Sequence, residues 1–405
     1  MIVLGIVAFF VMVGFGVVVP VLPVFVRSFG VGYLEIGAVV SAFALMRLVS
    51  SPFCGWLINK GGERTVLAIG IGIVAVSSVL VGVAQNYPQV LILRGAGGIG
   101  SAMFSVSAMT LLLGSTAPAV RGRAVGFYQG GFLIGGMAGP ALGGVLSLIS
   151  LRAPFFFYAG TLAVAGLIGL FLLKPKSIEN SDAAAAPATP FRSVLRDSRY
   201  RAACLANFAQ GWAALGVRSA LVPVLIIEAL HYTPAWTGIA FAVAAVAQTL
   251  ALGPAGTFVD TVGRKAAIVG AFSLGAVALF GMALAPTMWL LIVLLCLYGV
   301  AAAFMATAPA ASVGDAAGAR SGTPVAVFSM FSDFGAIVGP LVAGWMVDVW
   351  SFPAAFGVAA ALMIVAAAYA LRMPRATRTD RPAAAHPLAD ASGGDPIPGD
   401  AADSA

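Results

Sequence analysis

Gly126-Phe127-Tyr128-Gln129-Gly130-Gly131-Phe132-Leu133-Ile134-Gly135-Gly136-Met137-Ala138-Gly139-Pro140-Ala141-Leu142-Gly143-Gly144 is an apolar stretch punctuated by glycine and broken by one proline. Its rhythm returns near the end of the chain as Gly335, Gly339, Pro340, Ala343 and Gly344, an offset of 200. A second signature keeps nearly the same spacing. Gly55, Leu57, Asn59, Lys60, Gly62 and Arg64 are echoed, from an offset of 201, by Gly256, Phe258, Asp260, Gly263, Arg264 and Lys265. Two unrelated signatures sharing one spacing imply an internal duplication, and a duplication fixes the architecture before any local assignment does.

The 405 residues are 60% hydrophobic and 9% charged, a composition that cannot fold in water without a very large exposed apolar surface. A helix needs roughly 20 apolar residues to cross the hydrocarbon of a bilayer, and such segments follow one another along the chain. The reading is an all-α polytopic membrane protein of twelve transmembrane helices, six in each pseudo-symmetric half. The apolar runs are continuous rather than alternating, which excludes a β-barrel. Residues 1–173 form the first six-helix bundle, 174–200 a cytoplasmic linker, 201–372 the second bundle, and 373–405 a disordered tail rich in Ala, Pro, Gly and Asp.

Basic residues collect on the cytoplasmic side of membrane proteins. With both termini placed inside, 17 of the 22 Lys and Arg residues fall on that side, among them Lys60, Arg64, Arg121, Arg123, Lys174, Lys176, Arg264, Lys265, Arg320, Arg375, Arg378 and Arg381. Arg27 and Arg152 fall outside, and Arg47, Arg94 and Arg218 lie within helices. The net charge of +7 is this topology signal and carries no nucleic-acid function. Cys54, Cys204 and Cys296 sit in separate apolar segments without metal-ligand spacing, so they read as small buried hydrophobes and no metal or cofactor is expected. His231 and His386 fall in an outer loop and the tail. The 26 residues before Arg27 are uncharged, so no cleaved signal peptide is expected.

The loop Gly256-Thr257-Phe258-Val259-Asp260-Thr261-Val262-Gly263-Arg264-Lys265, with twelve helices and a long central linker, resembles the major facilitator superfamily over nearly the whole chain to about residue 372. The copy after helix two is weaker, since Asn59 stands where the acid belongs. The resemblance implies a gating role for Gly55, Asn59, Lys60, Gly62, Arg64, Gly256, Asp260, Gly263, Arg264 and Lys265. Glycines let helices meet closely around a tight turn, the acid caps a helix N-terminus, and the bases hold a neighbouring carboxylate. Asp315 is the expected partner of Arg264. The alternative is that these charges only hold loops and set topology.

Gly126, Gly135, Gly139, Pro140, Gly143 and Gly144 resemble the motif of the superfamily's drug and proton antiporters, which implies export. Small residues at this spacing let helices pack closely, and Pro140 permits a bend. Ordinary helix packing is the competing explanation. Charges at membrane depth are costly and usually functional. Arg94 resembles the arginine implicated in proton transfer in the family's fourth helix. Asp333 is the carboxylate placed near the middle of a helix, which makes it the candidate protonation site. A carboxylate at that depth keeps a proton when dry and releases it beside a cation. Arg47 and Arg218 are its candidate partners, because the family fold sets helices two and seven beside helix eleven. A permanent structural ion pair is the rival reading. Glu35, Glu228 and Asp348, near the outer surface, are weaker candidates.

Asn207, Gln210, Trp212, Tyr128, Phe132 and Tyr298 are the expected cavity and substrate residues: a polar stripe on helix seven, with aromatics near helix middles. The functional expectation is a secondary transporter that exports a lipophilic drug or small metabolite against protons by alternating access. It would work as a monomer in the cell membrane, with both termini cytoplasmic. Import or facilitated passage of a sugar, amino acid or other metabolite is the alternative. An enzyme would need nucleophile, base or metal ligands at one depth, and the helices supply no histidine. A receptor or scaffold would need a large extramembrane region.

Overall fold

The computed structural model describes residues 2–116, 121–172, 191–317 and 322–374. Lys174, Lys176, Arg320, Arg375, Arg378, Arg381, His386, the first part of the expected linker and nearly all of the expected tail lie outside the described residues. Among those described there are helices and no strands. Eleven helices are long and apolar enough to cross a membrane. The first half comprises α1 (Ile2–Val18), α2 (Leu22–Arg27), α3 (Tyr33–Gly61), α4 (Glu63–Val83), α5 (Tyr87–Gly114), α6 (Arg121–Ile149) and α7 (Ala153–Leu172). At 17 residues α1 is short for a span, and it continues through a turn at Pro20 into α2 to complete a twelfth.

The second half comprises α8 (Phe191–Arg196), α9 (Ser198–Gly211), a π-helical segment Trp212–Ser219, α10 (Ala220–Glu228), α11 (Pro234–Thr261), α12 (Arg264–Ala283), α13 (Met288–Ala317), α14 (Gly322–Val349) and α15 (Phe352–Ala370). Within the expected 174–200 linker Phe191–Arg196 forms α8, and Asp197, whose side chain accepts a hydrogen bond from the Arg199 amide at 2.7 Å, caps α9, which begins at Ser198. Span seven is not one regular helix, since α9 and α10 are joined through π-helical turns, which widen the helix and redirect its side chains.

Each half buries its own core, one centred on Phe155, Leu162 and Leu4 and the other on Phe272, Phe356 and Tyr298. The opposite arrangement prevails on the outside, where Phe171, Leu250, Ile92 and Trp289 are at least 70% exposed. That apolar coat suits lipid rather than water.

The repeated glycines explain how the halves are built. A methyl on Gly135 would lie 2.6 Å from the Phe9 carbonyl oxygen, and one on Gly139 would lie 2.6 Å from the Gly16 Cα, so α6 packs on α1 backbone to backbone. At the same offset Gly335 and Gly339 press on the backbone at Phe208 and Trp212, joining α14 to span seven. The last glycine of each set crosses to the other half: Gly144 meets Gly238 of α11, and Gly344 meets Tyr33 of α3. Helix association in lipid depends on such close van der Waals contact, which a side chain at these positions would prevent.

Candidate functional site

The two halves meet along α3 with α14 and α6 with α11. One face of the molecule carries the α3–α4 and α11–α12 turns, called here the motif face. The halves are tied together most densely at the opposite face. There Arg27 Nε lies 2.6 Å from Glu228 Oε1, and the Tyr33 hydroxyl donates to the same carboxylate. The Tyr33 and Leu34 amides donate to Asp348 at 2.9 and 2.7 Å. The N-cap of α3 is Gly32, which offers no side chain, so an acid from the other half caps that helix and meets the positive end of its dipole.

Deeper in, the Ser41 hydroxyl donates to the Ile337 carbonyl at 2.6 Å, and Arg47 Nη2 lies 2.6 Å from Asp333 Oδ1. Gly37 of α3 packs on the Pro340 carbonyl, and Gly238 of α11 packs on the Pro140 carbonyl. Toward the motif face the contact ends. A Cβ on Gly55, Gly126 or Gly256 would meet nothing within 4 Å. In this state Gly55 and Gly256 therefore make no close helix contact, and the motif-face ends of the halves stand apart there.

A cavity between the halves is lined by Phe15, Phe43, Arg47 and Arg94 from one side and Leu215, Ser219, Asp333 and Ala336 from the other. Within it the Arg47 and Asp333 side chains are 42% and 22% exposed, so the pair is wet rather than sealed. Arg94 is buried, its guanidinium carbon sits 4.6 Å from the centre of the Phe43 ring, and its Nε has no hydrogen-bond partner. Arg218 was named beside Arg47 as a partner for Asp333, but the geometry gives Asp333 to Arg47. Arg218 instead points between the Phe241 and Tyr298 rings, 5.6 and 5.7 Å from their centres.

None of the six expected cavity residues lines this cavity. Asn207 donates its amide to the Phe328 carbonyl at 2.7 Å and ties α9 to α14. Gln210 is half-buried on the same helix. Trp212 packs under Gly339, with its indole nitrogen unpartnered. Tyr128 and Phe132 stack on each other in the first half with ring centres 5.1 Å apart. Tyr298 is fully buried and its hydroxyl is unpartnered.

At the motif-face turns, Gly62 and Gly263 hold φ of 76° and 118°, a region open to glycine and strained for other residues. Arg264 Nε lies 2.9 Å from Asp315 and its Nη1 3.6 Å from Asp260. Lys265 donates to the Leu371 and Met373 carbonyls at 2.6 and 2.9 Å, closing the end of α15. Neither Asn59 nor Asp260 caps a helix. Both lie inside α3 and α11, and the caps of α4 and α12 are Gly62 and Gly263 without side-chain bonds. Lys60 lies 4.1 Å over the Trp56 ring, and Arg64 falls in the first turn of α4. Among the described residues no group of three or more His, Cys, Asp or Glu is placed to hold a metal.

The sequence profile of the Major Facilitator Superfamily matches residues 4–235 and again 203–394. The chain belongs to that superfamily. Its members and its structural neighbours are transporters, not enzymes. Among curated members, Quinolone resistance protein NorA of Staphylococcus aureus is 31% identical over 160 residues, 40% of this chain and 41% of NorA. The chain thus spans about two-fifths (41%) of NorA's length in that match. Multidrug resistance protein 2 of Bacillus subtilis is 25% identical over 345 residues, covering 83% of this chain and 85% of the relative. A bacterial homologue of the human lysosomal transporter Spinster, solved inward-facing and unoccupied, superposes with TM-score 0.71 at 16% identity, covering 91% and 93% of the two chains. The nucleoside transporter NupG superposes at 0.74 with 15% identity, covering 91% and 98%. At such identities these two show the superfamily fold alone.

Sequence reasoning missed Gly37 and Gly238, although the 201-residue offset that pairs Gly55 with Gly256 also pairs them. Glu228 and Asp348 were ranked low for lying near the surface, and Tyr33 was not named. No local signal marks them, because their partners are on the other half.

Proposed function

We propose that this superfamily member is a secondary active exporter that couples inward proton movement to outward movement of a lipophilic drug or small metabolite. The observation that carries the reading is the Arg47–Asp333 pair, which bridges the two halves at 2.6 Å in the wall of the cavity between them. Rocking the halves apart at that depth has to separate the pair, which leaves the Asp333 carboxylate without Arg47 in the other state and open to a proton in its place. Protonation and conformation are thereby linked through one bond. The glycine series of α6 and the efflux names of both curated relatives support export.

The basic residues at the motif face support a cytoplasmic placement for that face and for both termini in the cell membrane. The conformation described here then opens toward the cytoplasm, with the Arg27–Glu228 and Tyr33–Asp348 contacts closing the outer side. The Arg264–Asp315 pair supports the Asp260 and Arg264 loop as a motif-face latch. Each chain contains both halves of one pathway and works as a monomer.

The test is proton flux in proteoliposomes holding a trapped pH dye, with the native chain and Asp333→Asn compared while quinolones and lipophilic ions are added. Substrate-evoked proton movement that disappears in Asp333→Asn is the expected result. Movement that survives places the coupling elsewhere. Downhill uptake of a sugar or amino acid with no proton response to any compound favours the facilitator reading instead.

A further inference from the structure

The charges that line the cavity do not balance. Arg47 and Arg94 face it with one carboxylate, Asp333, and that carboxylate is taken by Arg47 at 2.6 Å. One positive charge, on Arg94, is left over. Among the described residues four ion pairs form and Arg94 joins none of them, nor does any protein group there accept a hydrogen bond from its guanidinium.

Local packing puts Arg94 there. Gly98, one turn further along α5, carries no side chain, and a methyl on it would overlap the Phe43 carbonyl of α3, so these helices meet backbone to backbone. Arg94 shares that face of α5, is only 8% exposed, and sits 4.6 Å from the centre of the Phe43 ring. The ring covers the guanidinium but offers no acceptor in its plane. Nε is sealed without a partner, whereas the two Nη groups are not sealed and open on the cavity. Phe43 in turn lies 6.0 Å from Phe15, ring centre to ring centre, and both rings line the cavity with Val18, Leu22 and Val40. An unpaired guanidinium thus borders an apolar wall. A buried arginine without an acid is costly, and its free N–H groups call for an acceptor in the space beside them. A carboxylate is all acceptor and matches the guanidinium fork, and its single negative charge brings the cavity to neutrality. At about 90 Å³ the cavity equals the liquid volume of about three waters, which leaves room beside a carboxylate for a short alkyl tail.

We infer that Arg94 holds the carboxylate of a small apolar monocarboxylic acid, and that such anions are solutes this transporter carries. The short tail lies against Phe15 and Phe43. The inference rests on the transport reading for its physiological meaning and narrows the solute to one class. Binding is measured without a proton gradient, so a failure of coupling leaves it intact and a failure of the site removes it whatever the coupling.

The experiment uses the purified full chain in detergent, in a buffer free of carboxylates and chloride, with binding read by calorimetry and thermal melting. Butyrate, the neutral butyramide, the cation butylammonium and chloride are titrated at one pH. Butyrate is expected to bind and to raise the melting temperature, with the other three at least about tenfold weaker. Arg94→Gln should weaken butyrate at least about tenfold and abolish its advantage over butyramide, while Arg94→Lys keeps part of both. Val40→Phe, which fills the cavity one turn before Phe43 in α3, should block butyrate with the guanidinium intact. If Arg94→Gln does not fold, Arg94→Lys and Val40→Phe decide the matter. Butyramide or chloride binding as tightly as butyrate, butyrate binding unchanged in the Arg94 variants, or no butyrate binding at high millimolar concentration each overturns the assignment.

Discussion

Glu228→Gln is expected to loosen the closed outer side without disturbing either bundle. Glu228 accepts from Arg27 Nε at 2.6 Å, from Arg27 Nη2 at 3.5 Å and from the Tyr33 hydroxyl, all across the boundary between the halves. Glutamine keeps the shape and one acceptor and removes the charge. A charge-assisted bond of this kind contributes roughly 1.5–3 kcal/mol when buried and less when exposed. The Arg27 and Glu228 side chains are 35% and 32% exposed, so the ion pair is discounted to about 1 kcal/mol, and weakening the Tyr33 bond to the same carboxylate adds about 0.5 kcal/mol, about 1.5 kcal/mol together. The bonds exist only while the outer side is closed, so the loss falls on one conformer, and about 1.4 kcal/mol is a tenfold change in the ratio of states. Spin labels at Phe29→Cys and His231→Cys report that ratio by electron–electron distance, in a background of Cys54→Ala, Cys204→Ala and Cys296→Ala. The long-distance population should rise about tenfold relative to the short one. A ratio unchanged to within about twofold would refute the claim that this cluster holds the outer side shut.

Gly37→Ala should push the same equilibrium in the same direction, because the new methyl would overlap the Pro340 carbonyl in the present state. Gly256→Ala should push it the other way: it meets nothing within 4 Å here, so any cost falls on a state that closes the motif face, and the same spin labels read the difference. Asn207→Ala breaks the 2.7 Å tie to Phe328 and should destabilise the fold by about 1–3 kcal/mol, seen in thermal melting, with transport by the folded protein unchanged. A large loss of transport with an unchanged melting point would return Asn207 to the binding site. Arg264→Gln, which loses the 2.9 Å contact to Asp315, should leave ligand binding intact and slow transport turnover, measured by counterflow in proteoliposomes.

The fold was legible because its signals are local or periodic. Apolar runs, short connections and a 200-residue repeat need no knowledge of which way a helix faces. The repeat was even more informative than the motifs read from it. Gly37 with Gly238 and Gly62 with Gly263 share the 201 offset, and the paired glycines perform the same packing or turning task in each half. The candidate site was legible by type and depth: Asp333, Arg47 and Arg94 do meet at one cavity. Orientation was not legible. Asn207, read as a cavity residue from its polarity, proved to face the α14 backbone.

By itself, then, the sequence determined a duplicated twelve-helix membrane protein and the small set of charges buried inside it, since burial of apolar length and the cost of charge in lipid act residue by residue. The tertiary structure alone decided that Asp333 belongs to Arg47 rather than Arg218, that Asp348 caps a helix of the other half, and that the face opposite the motif turns is the closed one. Those outcomes depend on helix rotation, on the π-helical segment that sets Arg218 between two rings, and on the approach of two bundles whose contacting residues lie some 200 to 300 positions apart.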